Sequence, residues 1–240
     1  MNMQNTALIT GAAKRLGKAI AVGLARRGWD VALHYGQSAD DAAATAAEIR
    51  QLGSRCEPLR ADLDDPADVR TLVARAREVL GPLTLLVNNA AIFERAEFLQ
   101  TDEDLFDRHF DINFRAPFFL SRDFARQCDG DGHIINLIDA AHTHAGQTYF
   151  AYTLSKKLLA EFTPLAARAL GPRIRVNAIC PGPMLPPPGG RPDDLHHVAA
   201  KTPLQRTGAA ADIVAAAEFL IDNPYVTGQL LYVDGGQHIA

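Results

Sequence analysis

The chain has 240 residues, 48% of them apolar, enough for one sizeable core and expected to form a single domain. A formal charge of -4, with Lys and Arg scattered along the chain, excludes the basic patch of a nucleic-acid binder and leaves a small molecule as the expected partner. Cys56, Cys128 and Cys180 lie far apart with no CxxC pair, and there is neither an apolar run near ~18 residues nor a charged-then-apolar leader, so a disulfide framework, a thiolate metal site and a membrane span are not expected and a reducing, cytoplasmic setting is.

Strand-like runs at 7–10, 30–35, 55–60, 83–88, 133–138, 173–180 and 229–233 alternate with helical patterns at 14–28, 39–52, 66–80, 102–127, 151–170 and 210–222. The strands are too uniformly apolar to have a wet face. Such alternation predicts a parallel sheet covered on both sides.

Between the first strand and first helix runs Thr10-Gly11-Ala12-Ala13-Lys14-Arg15-Leu16-Gly17. A glycine turn there lets backbone N–H groups approach a pyrophosphate at a helix N-terminus. The spacing departs from G-x-G-x-x-G, and helix-entry turns often contain glycine for no other reason. Position after the first strand is what favours the cofactor reading. The second strand ends His34-Tyr35-Gly36-Gln37-Ser38 without the acid that usually meets a free ribose 2′-hydroxyl, while Lys14 and Arg15 add positive charge beside the turn. NADP is therefore expected over NAD, with His34 and Tyr35 as simple strand-end residues the alternative.

Asp139 follows the apolar run Ile134-Ile135-Asn136-Leu137-Ile138, and a helix carrying Leu154, Leu158, Leu159 and Phe162 comes after it. On that helix Tyr152 and Lys156 are four apart and share a face. A phenol, an ammonium and a carboxyl together make a proton-transfer unit; each alone would be a solvated face or a turn former. Pro164 falls inside the same helix and is expected to kink it or remove a backbone bond. The stretch 181–192, PGPMLPPPGGRP, holds six prolines and three glycines and predicts a loop, extending to about residue 200, at the crevice beyond the strand ends. It either closes over substrate or simply connects. His142 and His144 form an HxH without a third ligand at suitable spacing, so no metal is expected, and His196 and His197 are read as surface residues of a short helix near the pocket. No G-x-S-x-G is present.

In order and spacing, Thr10-Gly11 with Gly17, Asp62-Leu63, Asn88-Asn89-Ala90, Asn113, Tyr152 with Lys156, Pro181-Gly182 and Asp234-Gly235-Gly236 resemble the short-chain dehydrogenase/reductases over essentially the whole chain. The resemblance implies a doubly wound α/β fold with a seven-stranded parallel sheet, usually in a homotetramer or homodimer. Most members have Ser at the place of Asp139 and Gly at the place of Arg15. Both departures resemble the pteridine reductase branch, as do Leu33-His34-Tyr35, Phe93 after the NNA motif, Ala116-Pro117 after Asn113, and the 13-residue step from Asp139 to Tyr152. Gln37 stands where that branch often has Arg.

What this resemblance implies is an NADPH-dependent reductase acting on a dihydropterin or dihydrofolate. Catalysis would fall to Asp139, Tyr152, Lys156 and Asn113, with Lys156 lowering the Tyr152 pKa and holding the nicotinamide ribose, and Asn113 supporting a proton relay through water. Gly11, Lys14, Arg15, Leu16, Gly17, His34, Tyr35, Ser38, Pro181 and Gly182 would border the cofactor, Asp62 and Leu63 its adenine, and Asn89, Ala90 and Ala91 its ribose. Phe93 would stack on the flat pterin, and Arg15, whose planar fork suits both tasks, would reach phosphate and substrate. Reduction of a ketone or 3-oxoacyl thioester is the alternative enzyme, and a catalytically inactive cofactor sensor the alternative class.

Overall fold

The computed structural model describes residues 5–143, 148–186 and 192–240. His144 and residues 187–191 of the Pro/Gly-rich stretch lie outside them. Seven strands, β1 (Thr6–Ile9), β2 (Asp30–Tyr35), β3 (Cys56–Arg60), β4 (Leu85–Asn88), β5 (Gly132–Leu137), β6 (Ile174–Pro181) and β7 (Leu230–Val233), form one sheet in the order β3-β2-β1-β4-β5-β6-β7. Every pairing is parallel, with Ile9 opposite Leu33 on one side and Val87 on the other. The strand order reverses between β1 and β4. That reversal opens a crevice at the carboxyl ends of the strands, where open α/β sheets bind ligands. The expected doubly wound fold is the one adopted.

The helices are α1 (Arg15–Arg26), α2 (Ala39–Gln51), α3 (Pro66–Leu80), α4 (Glu103–Phe110), α5 (Ala116–Gln127), α6 (Phe150–Leu170), α7 (Pro192–Ala199) and α8 (Ala210–Asp222). They cover both faces of the sheet, because adjacent strand residues point to opposite sides and each side is apolar. Ile9, Leu33 and Ile135 pack with Ile20, Leu24, Ile49 and Ile213 of α1, α2 and α8. Their neighbours Leu8, Ala32 and Ile134 pack with Leu72, Leu120 and Ala166 of α3, α5 and α6. Each fully buried Leu or Ile contributes about 1.5–3 kcal/mol of transfer free energy, so two such layers fix the sheet between them. Asp65 and Asp102 start α3 and α4 by accepting from Ala67 N at 2.7 Å and Leu105 N at 2.8 Å.

One helical expectation is revised. The single helix expected over 102–127 is interrupted: residues Asp111–Arg115 make a π turn between α4 and α5. Pro117, near the start of α5, lacks the N–H that an ordinary helix would send to the carbonyl of residue 113, so the tighter register cannot continue. Pro164, expected to kink its helix or remove a backbone bond, lies within an α6 that runs on to Leu170, where it contributes no N–H, and the neighbouring Thr163 hydroxyl donates to Leu159 O at 2.9 Å. Among the described residues no helix is long and apolar enough to cross a membrane.

Candidate active site

The turn after β1 is held by a closed set of hydrogen bonds. Thr10 Oγ1 accepts from Asn89 N at 2.9 Å and Ala90 N at 3.0 Å, while Asn89 Nδ2 donates to Thr10 O at 2.8 Å and Gly11 O at 3.1 Å. The ends of β1 and β4 are thereby tied together. Gly11 takes φ +62°, and a Cβ there would lie 3.0 Å from Ala90 Cα. A Cβ on Gly17 would collide with Gly11 O and come within 2.5 Å of Asn89 Nδ2. Both glycines are therefore required by the packing of this turn, and they leave its backbone open to a close-approaching group.

His34 belongs to the same frame. Gly11 N donates to its Nδ1 at 3.0 Å, so Nε2 carries the proton and donates to Ala61 O at 3.1 Å. Burial pushes its pKa down to about 4, which keeps the ring neutral and able to accept. Both ring nitrogens of His34 are thus engaged inside the protein, and the ring supports the glycine turn from behind. Tyr35 and Ser38 remain half-buried at the end of β2 and the start of α2. No acid stands between them; Asp40 and Asp41 follow in the first turn of α2, with Asp41 3.9 Å from Lys14 Nζ.

Arg15 has φ +57°, a left-handed conformation that suits glycine. Its exposed guanidinium donates to Pro186 O at 2.6 Å, which joins the glycine turn to the Pro/Gly-rich stretch. Leu16 is partly buried against the core behind the turn. Asp62 is exposed and its carboxylate accepts from Asp64 N at 3.0 Å, while Leu63 is buried. Pro181 ends β6 paired with Val233, and Gly182 lies so close to the chain that a Cβ would be 2.5 Å from Asp234 Cα.

Beyond β5, the structure brings Asp139, Tyr152, Lys156 and Asn113 together. The Tyr152 hydroxyl donates to Asp139 Oδ2 at 2.8 Å, and Ala141 N donates to Oδ1 at 2.7 Å. Lys156 Nζ, buried, donates to Leu137 O at 2.8 Å and stands 5.9 Å from the Tyr152 ring centroid. Burial raises the Asp139 carboxyl above the usual carboxylate range despite the Ala141 N–H, the Tyr152 hydroxyl, Lys156 and His142, all of which favour its charged form. The phenol of Tyr152 is held well above its ordinary value, first by burial and then by the charge of Asp139. Lys156 is pushed down to about 8 by burial, against the pull of Asp139. The lowered Tyr152 pKa expected from Lys156 is thus reversed: burial and a neighbouring carboxylate outweigh an ammonium itself discouraged from charging. In this arrangement Tyr152 keeps its proton, and Asp139 is poised to take or hold one.

Asn113 sits in the π turn, fully buried. It accepts from Ile92 N at 2.9 Å and donates to Ile92 O at 3.1 Å and Ser155 Oγ at 3.1 Å, so it fixes the chain leading to Phe93 against α6. Phe93 meets Tyr152 edge-on, with centroids 4.6 Å apart, and stacks on Tyr149 at 4.1 Å and 17°. Tyr149 and Ser155 were not anticipated from sequence. Tyr149 lies just before α6, with non-helical backbone and a bridge to Ala96, so helix spacing gives no signal for it. Among the described residues no group of three or more His, Cys, Asp or Glu could hold a metal ion. His196 and His197 are exposed on α7.

A family model described as enoyl-(acyl carrier protein) reductase matches residues 11–238. L-rhamnose 1-dehydrogenase (NAD(P)(+)) of Sphingomonas sp. strain SKA58 is 34% identical over 98% of this chain and 96% of its own. The 3-oxoacyl-[acyl-carrier-protein] reductase FabG of Staphylococcus aureus is 30% identical over all of both chains. Among solved structures, FolM alternative dihydrofolate reductase 1 from Brucella suis in complex with NADP superposes with a TM-score of 0.95 at 40% identity, covering 100% of this chain and 97% of that one. With a seven-stranded parallel sheet, a knitted glycine turn and a Tyr-Lys pair beside Asn113, the chain belongs to the short-chain dehydrogenase/reductase family, and is an oxidoreductase of that kind.

Proposed function

We propose that the protein is an NADPH-dependent reductase of a dihydropterin or dihydrofolate. The observation that carries this reading is the 2.8 Å bond between Tyr152 and Asp139, a carboxyl where most of the family has a serine. The FolM structure, 40% identical and bound to NADP, supports it.

The cradle fits a dinucleotide. Gly11 and Gly17 let the turn backbone pack closely against Asn89 and Ala90 with no side chain of its own at either position, and Lys14 and Arg15 are exposed beside it. Lys14, Arg15, Tyr35 and Ser38 would meet its 2′-phosphate end, Asp62 and Leu63 the adenine, Asn89 to Ala91 and Lys156 the riboses, and Pro181 and Gly182 the nicotinamide end. Lys156 has donors to spare beyond the one given to Leu137 O. When bound, the cofactor supplies a hydride to a ring carbon of the substrate.

The residues of the chain move the proton. Hydride addition to C=N leaves an electron pair on nitrogen, which takes the Tyr152 hydroxyl proton. For this the hydroxyl turns from Asp139 to the substrate and a neutral Asp139 becomes the donor of their 2.8 Å bond; its proton then passes to the phenolate oxygen, and the carboxylate left behind is refilled from water. A raised carboxyl pKa suits this cycle, because Asp139 must be neutral when it starts. Lys156 steadies the transient phenolate. Phe93 offers a flat face to the pterin ring, displacing its stack with Tyr149, and Arg15 donates to a pterin oxygen or nitrogen.

The exposed Phe118, Leu154, Leu158 and Leu165 on α5 and α6 support self-association, read here as a homotetramer in the cytoplasm. A second reading, oxidation or reduction at a sugar or 3-oxoacyl carbonyl, is favoured by the activities of the curated relatives. NADPH oxidation with dihydrobiopterin, dihydromonapterin, dihydrofolate, an acetoacetyl thioester and L-rhamnose with NADP separates the two. Pterin turnover that is lost in Asp139→Ala establishes the first; turnover of the thioester or the sugar alone establishes the second.

A further inference from the structure

His142 is the histidine of the HxH that lies within the described residues, and the cycle above does not use it. It sits on the single turn Ala140–Thr143 that follows Asp139 and is itself buried. Its Nδ1 lies 2.7 Å from Asp139 O, and its backbone N donates to the same oxygen at 3.2 Å. A nitrogen facing a carbonyl must carry the proton, so Nε2 is left as the acceptor, and Tyr232 of β7 places its hydroxyl 3.4 Å away.

Three rings then continue towards the last residues of the chain. His142 and Tyr232 are within 10° of parallel, at 5.9 Å, and Tyr232 stacks on His238 at 3.9 Å and 16°. His238 Nδ1 bonds Asp234 Oδ2 at 2.8 Å, and Asp234 also accepts from His238 N at 2.7 Å and Gly236 N at 2.9 Å. The column therefore runs from a buried, three-bonded carboxylate to the peptide of Asp139.

We propose that His142 is a positioning residue for Asp139, braced by the Tyr232–His238 column, and that the charge on its ring sets how readily Asp139 gives up its proton. The inference rests on the reading of Asp139 as a proton source. Its geometry tolerates both charge states. With one ring proton, His142 donates to Asp139 O and accepts from Tyr232; with two, Nε2–H donates to the Tyr232 oxygen, which can accept. Either way the turn keeps its contacts and only the field at Asp139 differs. A positive His142 favours the carboxylate of Asp139, in the same sense as Lys156 on α6. Among the described residues, the other ionisable groups about this cluster are Tyr152 of α6 (its hydroxyl bonded to Asp139), Tyr232, Cys180 of β6, and beyond the first ring, His238 and Asp234.

The test uses the full-length protein with 13C-labelled aspartate carboxyls, the Asp139 resonance being identified by its loss in Asp139→Asn. The variants are His142→Asn, which keeps an N–H donor near the Nδ1 position without a titrating charge, His142→Ala, and Tyr232→Phe. In His142→Asn the Asp139 titration moves to higher pH by about half a unit or more. The limb on which pterin turnover falls with rising pH moves with it, and KM for NADPH stays within about twofold. His142→Ala lowers kcat at every pH at least fivefold, and His142→Asn restores most of it. An Asp139 carboxyl that titrates identically in the wild type and His142→Asn overturns the proposal. If His142→Asn does not fold, Tyr232→Phe decides, since an unchanged Asp139 titration there also overturns it. Failure of the pterin reading looks different: no pterin turnover at any pH, with the carboxyl shift between variants still present.

Discussion

Arg15 and Pro186, 171 positions apart in sequence, are joined by a 2.6 Å hydrogen bond from guanidinium to carbonyl. The bond links the cofactor turn to the loop beyond β6, and it is made by a residue whose backbone sits at φ +57°. A left-handed non-glycine residue costs on the order of 1–2 kcal/mol.

Arg15→Gly should therefore separate stability from activity. The relieved backbone offsets the lost surface bond, so the melting temperature is unchanged or rises by a few degrees. Pterin kcat/KM falls at least tenfold, through a higher KM for both pterin and NADPH. Thermal melts and steady-state kinetics on one preparation check both halves.

Gly17→Ala tests the knitted turn. The new methyl would meet Gly11 O and Asn89 Nδ2, both backed by β1 and β4, so neither can retreat without breaking a bond of Thr10 or Asn89. A destabilisation of about 1–3 kcal/mol and a rise in KM for NADPH of tenfold or more are expected, read by denaturant unfolding and cofactor titration.

Asp139→Ala and Tyr152→Phe remove the two halves of the proton pair. Each should lower kcat for pterin by roughly 10²–10⁴-fold, and the double variant by little more than either alone, because the groups act as a unit. NADPH binding, followed by fluorescence, stays near wild type in Tyr152→Phe.

Turnover should decline as pH rises. Both Asp139 and Lys156 are needed in their protonated forms, and Lys156, pushed down to about 8, loses its charge as pH passes that value. A kcat/KM profile that instead climbs between pH 7 and 9 would contradict the assignment of Asp139 as proton donor.

Acid should weaken the fold through His34. Its folded pKa is about 4, below the unfolded value of 6.5, so the unfolded chain binds a proton first. Stability is full above pH 6.5, declines as pH falls towards 4, and levels off below it, by up to about 3 kcal/mol from this group. His133, pushed down to about 3 by burial, adds in the same direction. Urea midpoints between pH 4 and 7 measure the slope, and a His34→Gln variant should flatten it.

Much of this architecture was legible in the sequence. The strands could be read because both faces of the sheet are apolar, and Asp139, Tyr152 and Lys156 because strand end and helix spacing place them without knowledge of anything distant. The break at Asp111–Arg115 was hidden, since the helical pattern on its two sides continues across it and only the absent Pro117 N–H disturbs the register. The role of His34 depends on Gly11 and Ala61, which are 23 and 27 positions away, and no local pattern announces it. Tyr149 was passed over because its partner Phe93 arrives from another strand's loop.

The bonds around Thr10, Gly11, His34 and Asn89 close on one another, and neither the Arg15 guanidinium nor the Asp139 carboxyl takes part in them. An ancestral enzyme could exchange a glycine for Arg15 and a serine for Asp139 without loosening the platform beneath. New substrates are then reachable by one or two replacements at its edge, and lineages of this architecture can diverge in chemistry while the platform is inherited intact.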